Sequence, residues 1–174
     1  MPQSTSERIL AAAERRVREA GYNGFSFRDL AEDVGIKSAS VHHHFPTKEA
    51  LVARLASDYT ERFLDAVAHA PPGHARIEAY RKAFRASVEA DRQMCLCGML
   101  GAESLGLPAS VVLETRRFFE RIVAHLAEGL EGLAPDPRLL SLQIIAQLEG
   151  AIILARAFDD LQAFDDATAR FPGL

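Results

Sequence analysis

The chain has 174 residues and a mass of 19.1 kDa, which leaves room for one large domain or two smaller ones. Hydrophobic residues make up 48% of the sequence and charged residues 25%, so a disordered chain is excluded and a buried core is expected. The net charge of −4 and the pI of about 5.9 do not by themselves suggest nucleic-acid binding.

The acidity is confined to the second part of the chain. Residues 1–60 carry 8 Lys or Arg and 8 Asp or Glu, whereas residues 61–174 carry 12 and 16. The N-terminal sequence has no apolar segment of the signal-peptide type, and the apolar stretches are interrupted before the ~18 residues that a membrane span needs. Cys95 and Cys97 are too close together to brace a fold. We therefore expect a soluble, cytoplasmic protein that does not contact a membrane.

Helical periodicity runs through nearly the whole chain, and no strand-like alternation competes with it. Gly, Pro and capping residues divide the sequence into about nine predicted helices, so the expected fold class is all-α. The first predicted helix is capped by Ser6 or Thr5 and ends at Gly21. The later predicted helices cover 27–34, 38–45, 47–69, 75–91, 95–105, 108–130, 137–160 and 161–170. Short helices precede residue 50 and longer ones follow it, which suggests a boundary between residues 50 and 51.

The segment Phe25–Leu51 has the pattern of a helix, a tight turn and a second helix. Leu30 and Val34 face inward on the first helix, and the small Ala31 allows the second helix to cross closely. Gly35 supplies the positive φ that the turn needs. This is the helix-turn-helix pattern, in which the second helix enters the major groove of DNA. On these residues alone, a helical hairpin without a DNA function remains an alternative.

The residues around this motif resemble the N-terminal domain of the TetR family of transcriptional regulators. The resemblance covers residues 7–55 and is carried by Ile9-Leu10, Gly21-Tyr22, Arg28-Asp29-Leu30-Ala31, Val34-Gly35-Ile36 and the run from Val41 to Leu51. It implies a helix-turn-helix DNA-binding domain at residues 1–50 and a helical ligand-binding and dimerisation domain at 51–174. It also implies a homodimeric repressor on a palindromic double-stranded DNA operator, released by an unknown small-molecule effector or an electrophile.

The resemblance further implies which side chains contact DNA. The predicted contacts are Ser26, Arg28, Lys37, Ser38, Ser40, His42, His43, Thr47 and Lys48. Thr47 and Lys48 begin a helix, where free N–H groups and the helix dipole favour a phosphate. His42 and His44 stand where the family commonly has an aromatic residue, usually Tyr, and this is a departure from the family pattern. For each predicted contact, a solvated surface side chain or a helix cap is the alternative.

Neither a metal site nor catalysis is expected. Consecutive helical residues point about 100° apart, so His42, His43 and His44 cannot converge on one ion. The sequence has no Gly-rich phosphate loop, no nucleophile elbow and no zinc-protease motif. We therefore expect no enzymatic activity and no cofactor.

The second part of the chain offers candidates for an effector or sensor site. Cys95 and Cys97 fit a thiol sensor if a basic group such as Arg92 favours the thiolate, whereas the alternative is that both are small apolar core residues. The other candidates are Glu103, Phe84, Phe118 and His125, for which a place in the core or at the surface is the alternative.

The run Leu139–Leu154 is apolar around more than one helix face, although Gln147 and Glu149 interrupt it. A bundle helix needs only one apolar stripe, so the extra apolar surface predicts a dimer interface along this helix. A rival hypothesis for the whole chain is a helical small-molecule or redox-binding protein whose N-terminal domain is purely structural.

Overall fold

Local capping sets the start of the first helix. In the computed structural model, which describes residues 3–91 and 93–171, α1 (Thr5–Ala20) begins after Ser4. The Glu7 N–H donates to the Ser4 hydroxyl, and the Ser4 N–H donates to the Glu7 carboxylate. The predicted cap at Ser6 or Thr5 is therefore wrong, because of the three candidates only Ser4 has a glutamate three residues later.

Two short helices follow α1 and pack in sequence, α1 against α2 and α2 against α3. They are α2 (Phe27–Val34) and α3 (Ser38–His44), and both agree closely with the predicted segments. The turn between them is made by Gly35, with φ 72° and ψ 40°, a left-handed conformation that a side chain would disfavour. Its N–H and that of Ile36 donate to the last carbonyls of α2.

The other helices are, for the most part, longer. They are α4 (Lys48–Val67), α5 (His74–Asp91), α6 (Leu96–Ala102), α7 (Ala109–Glu128), α8 (Pro137–Phe158) and α9 (Gln162–Ala167). The described residues thus form nine α-helices and no strand, which confirms the predicted all-α class. The helix predicted for 95–105 is shorter than expected, because the chain after Ala102 tightens into the 3-10 turn Ser104–Gly106.

The chain divides into two compact units. One holds the described part of Met1–Tyr59 together with Leu96–Arg116, and the other holds the described residues of Thr60–Cys95 and Arg117–Leu174. Both units are therefore discontinuous in sequence, and α4 and α7 each contribute residues to both. The functional boundary between residues 50 and 51 stays a prediction.

The core of the second unit is built around the ring of Phe63. Tyr80, Phe84 and Phe118 each present a ring to it in an edge-to-face arrangement, with centroids 5.6, 5.3 and 5.4 Å away. Such geometry brings the positive edge of one ring to the negative face of another. This cluster fixes the part of α4 beyond Thr60 against α5 and α7.

Helix α8 packs against α5 and α9 and is apolar on a second side as well. Its buried residues include Ile144, Leu148 and Ile152. The apolar side chains that remain exposed are Leu139, Leu142, Ile153, Leu154 and Phe158, between 41% and 66% accessible.

By length and composition alone, α8 would also suffice to cross a membrane, since it has 22 residues and an 18-residue window with a mean hydropathy of 1.5. That window is 44% buried within the protein. A helix that packs in a protein core passes the same test, so α8 does not indicate a membrane protein.

Candidate DNA interface

The face predicted to meet DNA is built on α3 and on the starts of α2 and α4, all within the first unit. Seven of its nine predicted residues have exposed side chains, and two, Ser40 and Lys48, are half-buried. The exposed residues are Ser26, Arg28, Lys37, Ser38, His42, His43 and Thr47. Val41, which lies on the inner side of α3, is fully buried and anchors the helix. The structure therefore places a polar helix face at the surface, directly after the Gly35 turn.

Helix α3 presents a lysine, two serines and three histidines. Lys37 precedes the helix as its N-terminal cap residue, and no capping hydrogen bond comes from its side chain. The ring of His42 stands edge-on to the buried Phe27, with centroids 4.7 Å apart. The rings of His43 and His44 meet in a similar way, 5.6 Å apart. His42 is thus partly held by α2, whereas Lys37, Ser38 and His43 are the side chains most open to a ligand.

Ser26 is engaged in a reciprocal cap at the start of α2. The Asp29 N–H donates to its hydroxyl over 3.3 Å, and the Ser26 N–H and hydroxyl both donate to the Asp29 carboxylate, at 2.6 and 2.7 Å. These hydrogen bonds to the charged form lower the pKa of Asp29. Ser26 therefore orients α2 in this structure.

Arg28 and Thr47 also have partners within the protein. The Arg28 guanidinium donates to the carboxylate of Glu32 at 3.2 Å in an exposed ion pair. The Thr47 hydroxyl accepts from the Ala50 N–H at 3.0 Å and so caps α4. This cap leaves other amide groups of the first turn of α4 open to an anion, because a helix start has four free N–H groups.

Lys48 does not extend freely into solvent. Its ammonium group donates to the carbonyl oxygen of Phe25 and lies 4.2 Å from the centroid of the Phe25 ring and 4.8 Å from that of Tyr22. Burial lowers the pKa of Lys48, while the negative charges of Asp29 and Glu103 act in the opposite direction. Sequence reasoning missed Tyr22 and Phe25 as partners of Lys48; the signal was an aromatic pair three residues apart on a glycine-rich turn.

The arginines of α1 hold α2 in place behind this face. Arg16 makes two hydrogen bonds of 2.8 Å to the carboxylate of Asp33, and Arg15 lies 3.4 Å from the same group. This bidentate pair lowers the pKa of Asp33. The guanidinium of Arg8 donates to the Val34 carbonyl, at the end of α2.

The six residues predicted for an effector or sensor site are dispersed. Phe84 and Phe118 are 1% and 0% exposed and belong to the cluster around Phe63. Glu103 lies in the first unit, where its carboxylate accepts from the Tyr22 N–H at 2.8 Å. The structure thus places Phe84 and Phe118 in one core cluster of the second unit and gives Glu103 a positioning contact within the first unit.

His125 is half-buried beside Tyr80 in the second unit. The Tyr80 hydroxyl donates to the Ile122 carbonyl at 3.0 Å and lies 2.8 Å from Nδ1 of His125. Burial, reinforced by the positive charge of Arg76, lowers the pKa of His125. Arg76 itself donates to the carbonyls of Ala70 and His125. His125 therefore belongs to a polar network that joins α5 to α7.

Cys95 and Cys97 are both buried, at 1% and 0% exposure. A reactive cysteine requires access and a stabilised thiolate, and burial removes access and disfavours the charged form. Arg92, the basic neighbour expected for Cys95, lies outside the described residues. A thiol sensor also needs an accessible thiol, and neither cysteine is accessible in this structure.

Glu149 is the most unusual polar residue of the second unit. Neither oxygen of its buried carboxyl group has a hydrogen-bond partner among the described residues. Burial raises its pKa to about 7, and the Cys95 thiol is the neighbour that favours the charged form. From the sequence, Glu149 interrupts an apolar run, and a ligand cavity, a subunit partner or solvent were the alternatives for what its carboxylate faces.

A cleft of about 960 Å³ in the second unit lies between α5 on one side and α9 with the segment after it on the other. Its walls carry Arg81, Lys82, Arg85 and Arg170 together with Glu78 and Asp165. Arg81 and Arg85 both bind the Asp165 carboxylate, at 3.1 and 2.8 Å. None of the six predicted effector residues lines this cleft.

The helix-turn-helix region is similar to known bacterial regulatory proteins. Residues 9–55 match the sequence profile of bacterial regulatory proteins of the tetR family. The transcriptional repressor KstR2 of Mycolicibacterium smegmatis is 32% identical over 60 residues, which are 34% of this chain and 29% of that protein. The repressor AcnR of Corynebacterium diphtheriae is 39% identical over 62 residues, covering 36% of this chain and 33% of that protein. The chain thus matches only about a third of each of these two repressors.

Two solved structures match along nearly the whole chain. A TetR transcriptional regulator from Legionella pneumophila has 32% identity and a TM-score of 0.91, over 97% of this chain and 95% of that one. A TetR-family regulator from Agrobacterium tumefaciens has 32% identity and a TM-score of 0.90, over 97% and 96%. With this identity sustained across both units, the chain belongs to the TetR family of transcriptional regulators.

Proposed function

We propose that this protein is a repressor that binds a palindromic operator as a homodimer and leaves it when a small-molecule effector binds. The observation that carries the proposal is the exposed polar face of α3 after the left-handed Gly35 turn. TetR-family regulators bind DNA operators, and the two partial relatives named above are described as repressors.

The side chains assigned to the DNA differ in what they offer. Lys37, Ser38 and His43 are exposed on α3 and supply donors for base edges or nearby phosphates. Thr47 and the first turn of α4 supply backbone N–H groups for a phosphate. Lys48, held beside Tyr22 and Phe25, adds a positive charge next to this first turn. Ser26 supports the surface through its cap, and Ser40, His42 and Arg28 border it.

The exposed side of α8 supports dimerisation. Five large apolar side chains between Leu139 and Phe158 are solvent-exposed in the single chain, and exposed apolar side chains gathered on one helix are typical of a protein–protein interface. The partner that covers this side of α8 is a second copy of the chain, because two recognition helices about 34–36 Å apart are needed to enter successive major grooves.

Effector release follows from a change in that spacing. A small molecule that binds an altered arrangement of the helices shifts the population away from the DNA-competent state. The relatives are transcriptional regulators, and we infer that the chain acts on cytoplasmic DNA and carries out no catalysis.

The test is selection of bound DNA from a random double-stranded pool by the full-length protein. We expect an enriched palindrome with half-sites one helical turn apart. His43→Ala is expected to change the base preference, whereas Lys82→Ala, an exposed lysine of the second unit, serves as the matched surface control. Repeating the selection with candidate small molecules then identifies the effector by loss of enrichment. Absence of any enriched sequence, or enrichment of an isolated half-site, would contradict the proposal.

A further inference from the structure

Glu103, which follows α6, holds the turn between α1 and α2. The Tyr22 N–H donates to Oε2 of Glu103 over 2.8 Å, across 81 positions of sequence. The carboxylate lies directly over Gly21, where a Cβ atom would come within 1.9 Å of Oε1. Gly21 has a φ of 77°, so the turn has both the conformation and the space that this contact requires. A carboxylate bound to a backbone N–H makes a charge-assisted hydrogen bond, which is stronger than a neutral one.

Residues in and just after this Gly21–Tyr22 turn contact Lys48. The Tyr22 ring and the Phe25 ring form two walls around the ammonium group, and the Phe25 carbonyl accepts its hydrogen bond. The negative charge of Glu103 also acts on Lys48 directly. Lys48 is the first residue of α4, so a contact made after α6 reaches the start of α4 through one backbone turn.

A second contact fixes the same end of α4. The Ser110 hydroxyl, in the first turn of α7, donates to Oε1 of Glu49 over 2.5 Å. Glu49 is thus tied directly to the 96–116 segment of the first unit, and Lys48 is tied to it through the Gly21–Tyr22 turn. The orientation of this first turn decides where its free amide groups and Thr47 point.

We propose that Glu103 is a positioning residue for operator binding: by fixing the Gly21–Tyr22 turn, it keeps Lys48 and the first turn of α4 in the orientation that receives a DNA phosphate. The proposal rests on the proposed function, because it concerns the same DNA-contacting face. It assigns no contact between Glu103 and DNA.

Electrostatics alone predicts that Glu103→Ala would strengthen operator binding, whereas a positioning role predicts that it weakens binding. Removing a negative charge near DNA strengthens binding to phosphates. If Glu103 positions α4, Glu103→Ala instead weakens operator binding, by about 10-fold for a lost charge-assisted hydrogen bond. It also lowers the salt slope of binding by roughly one unit, because one phosphate contact is lost.

The experiment measures operator affinity against salt concentration for the full-length wild type, Glu103→Ala, Glu103→Gln and Glu131→Ala. Glutamine keeps an oxygen that accepts from the Tyr22 N–H, so Glu103→Gln is expected to recover most of the affinity. Glu131, exposed in the second unit, controls for the loss of one negative charge. An affinity of Glu103→Ala equal to or tighter than wild type, with an unchanged salt slope, would overturn the proposal.

Two further measurements distinguish a loss of positioning from a folding defect or an unrelated effect. If Glu103→Ala does not fold, as shown by its circular dichroism, Tyr22→Leu replaces it; this variant removes one wall around Lys48 and keeps the backbone contact, and it must also weaken binding. In a Lys48→Ala background, Glu103→Ala is expected to have little additional effect, because both changes act on one path. Failure of the wild type to bind the selected operator would refute the proposed function itself, whereas additive effects in a binding protein would refute only the role of Glu103.

Discussion

The α2–α3 region and the second unit differ in how exposed their candidate functional side chains are. Around α3, the side chains of Lys37, Ser38 and His43 face solvent, and a small core lies beneath the helix. In the second unit, His125 lies beside the Tyr80 hydroxyl, and the carboxyl group of Glu149 is buried. The first arrangement suits recognition of a large external partner, and the second suits a state that depends on packing and protonation. Variants in each of these regions test that contrast.

The largest effect is expected from the exposed side of α8. Leu142→Lys combined with Ile153→Lys places two charges on this apolar surface and should yield a monomer by sedimentation at micromolar concentration. Operator affinity should fall by about 10²–10⁴-fold, because the two half-sites are no longer bound by one linked pair. Leu133→Lys, which is equally exposed but lies outside α8, is the matched control. Dimers that persist in the double variant would assign the interface elsewhere.

The aromatic cluster should account for the next largest effect. Phe118→Ala removes a fully buried ring from its contact with Phe63, and the free energy of unfolding should fall by about 3–5 kcal/mol. Phe119→Ala, at a half-buried neighbouring position, should lose clearly less. Urea denaturation at one fixed protein concentration measures both. Equal losses would show that Phe118 lines an open space rather than the core.

Glu149 should make stability depend on pH in an unusual direction. Its pKa in the folded protein is about 7, above the ordinary value of 4.5, so the folded state binds more protons between these two values. Stability should therefore fall as pH rises from about 4.5 to about 7, by up to roughly 3 kcal/mol. Glu149→Gln should remove this loss. Unfolding of both proteins at pH 5 and pH 8 tests it, and an equal difference at both pH values would show that the carboxyl group is not buried in solution.

The smallest effect is expected at Lys37. Lys37→Ala should weaken operator binding modestly and lower the salt slope by about 0.9, the value for one phosphate contact. Lys82→Ala serves again as the charge-matched control. If the slope stays constant while the base preference changes, Lys37 contacts a base edge instead of a phosphate.

Local signals predicted most of the α2–α3 region correctly. Ser26 with Asp29 and the left-handed Gly35 act within a few residues, so the helix boundaries could be read from sequence. The start of α1 was predicted one or two residues late because Glu7 was not paired with Ser4. The DNA contacts and the dimer stay predictions.

The contacts between residues distant in sequence could not be predicted from the sequence. Nothing near Glu103 indicates that its partner is Tyr22, 81 residues earlier, and so it was considered for an effector site. The burial of Cys95 and Cys97, and of both oxygens of Glu149, depends equally on which helices surround them. Periodicity shows that a face is apolar, but it does not show which neighbour covers it.

The apolar side of α8 also has a consequence for gene dosage. If protomers pair through this surface before they meet DNA, the amount of operator-binding species grows with the square of protomer concentration while dimers are scarce. A twofold change in synthesis would then change the binding species about fourfold, by mass action. The exposed leucines and isoleucine of one helix would in this way set a concentration threshold for repression.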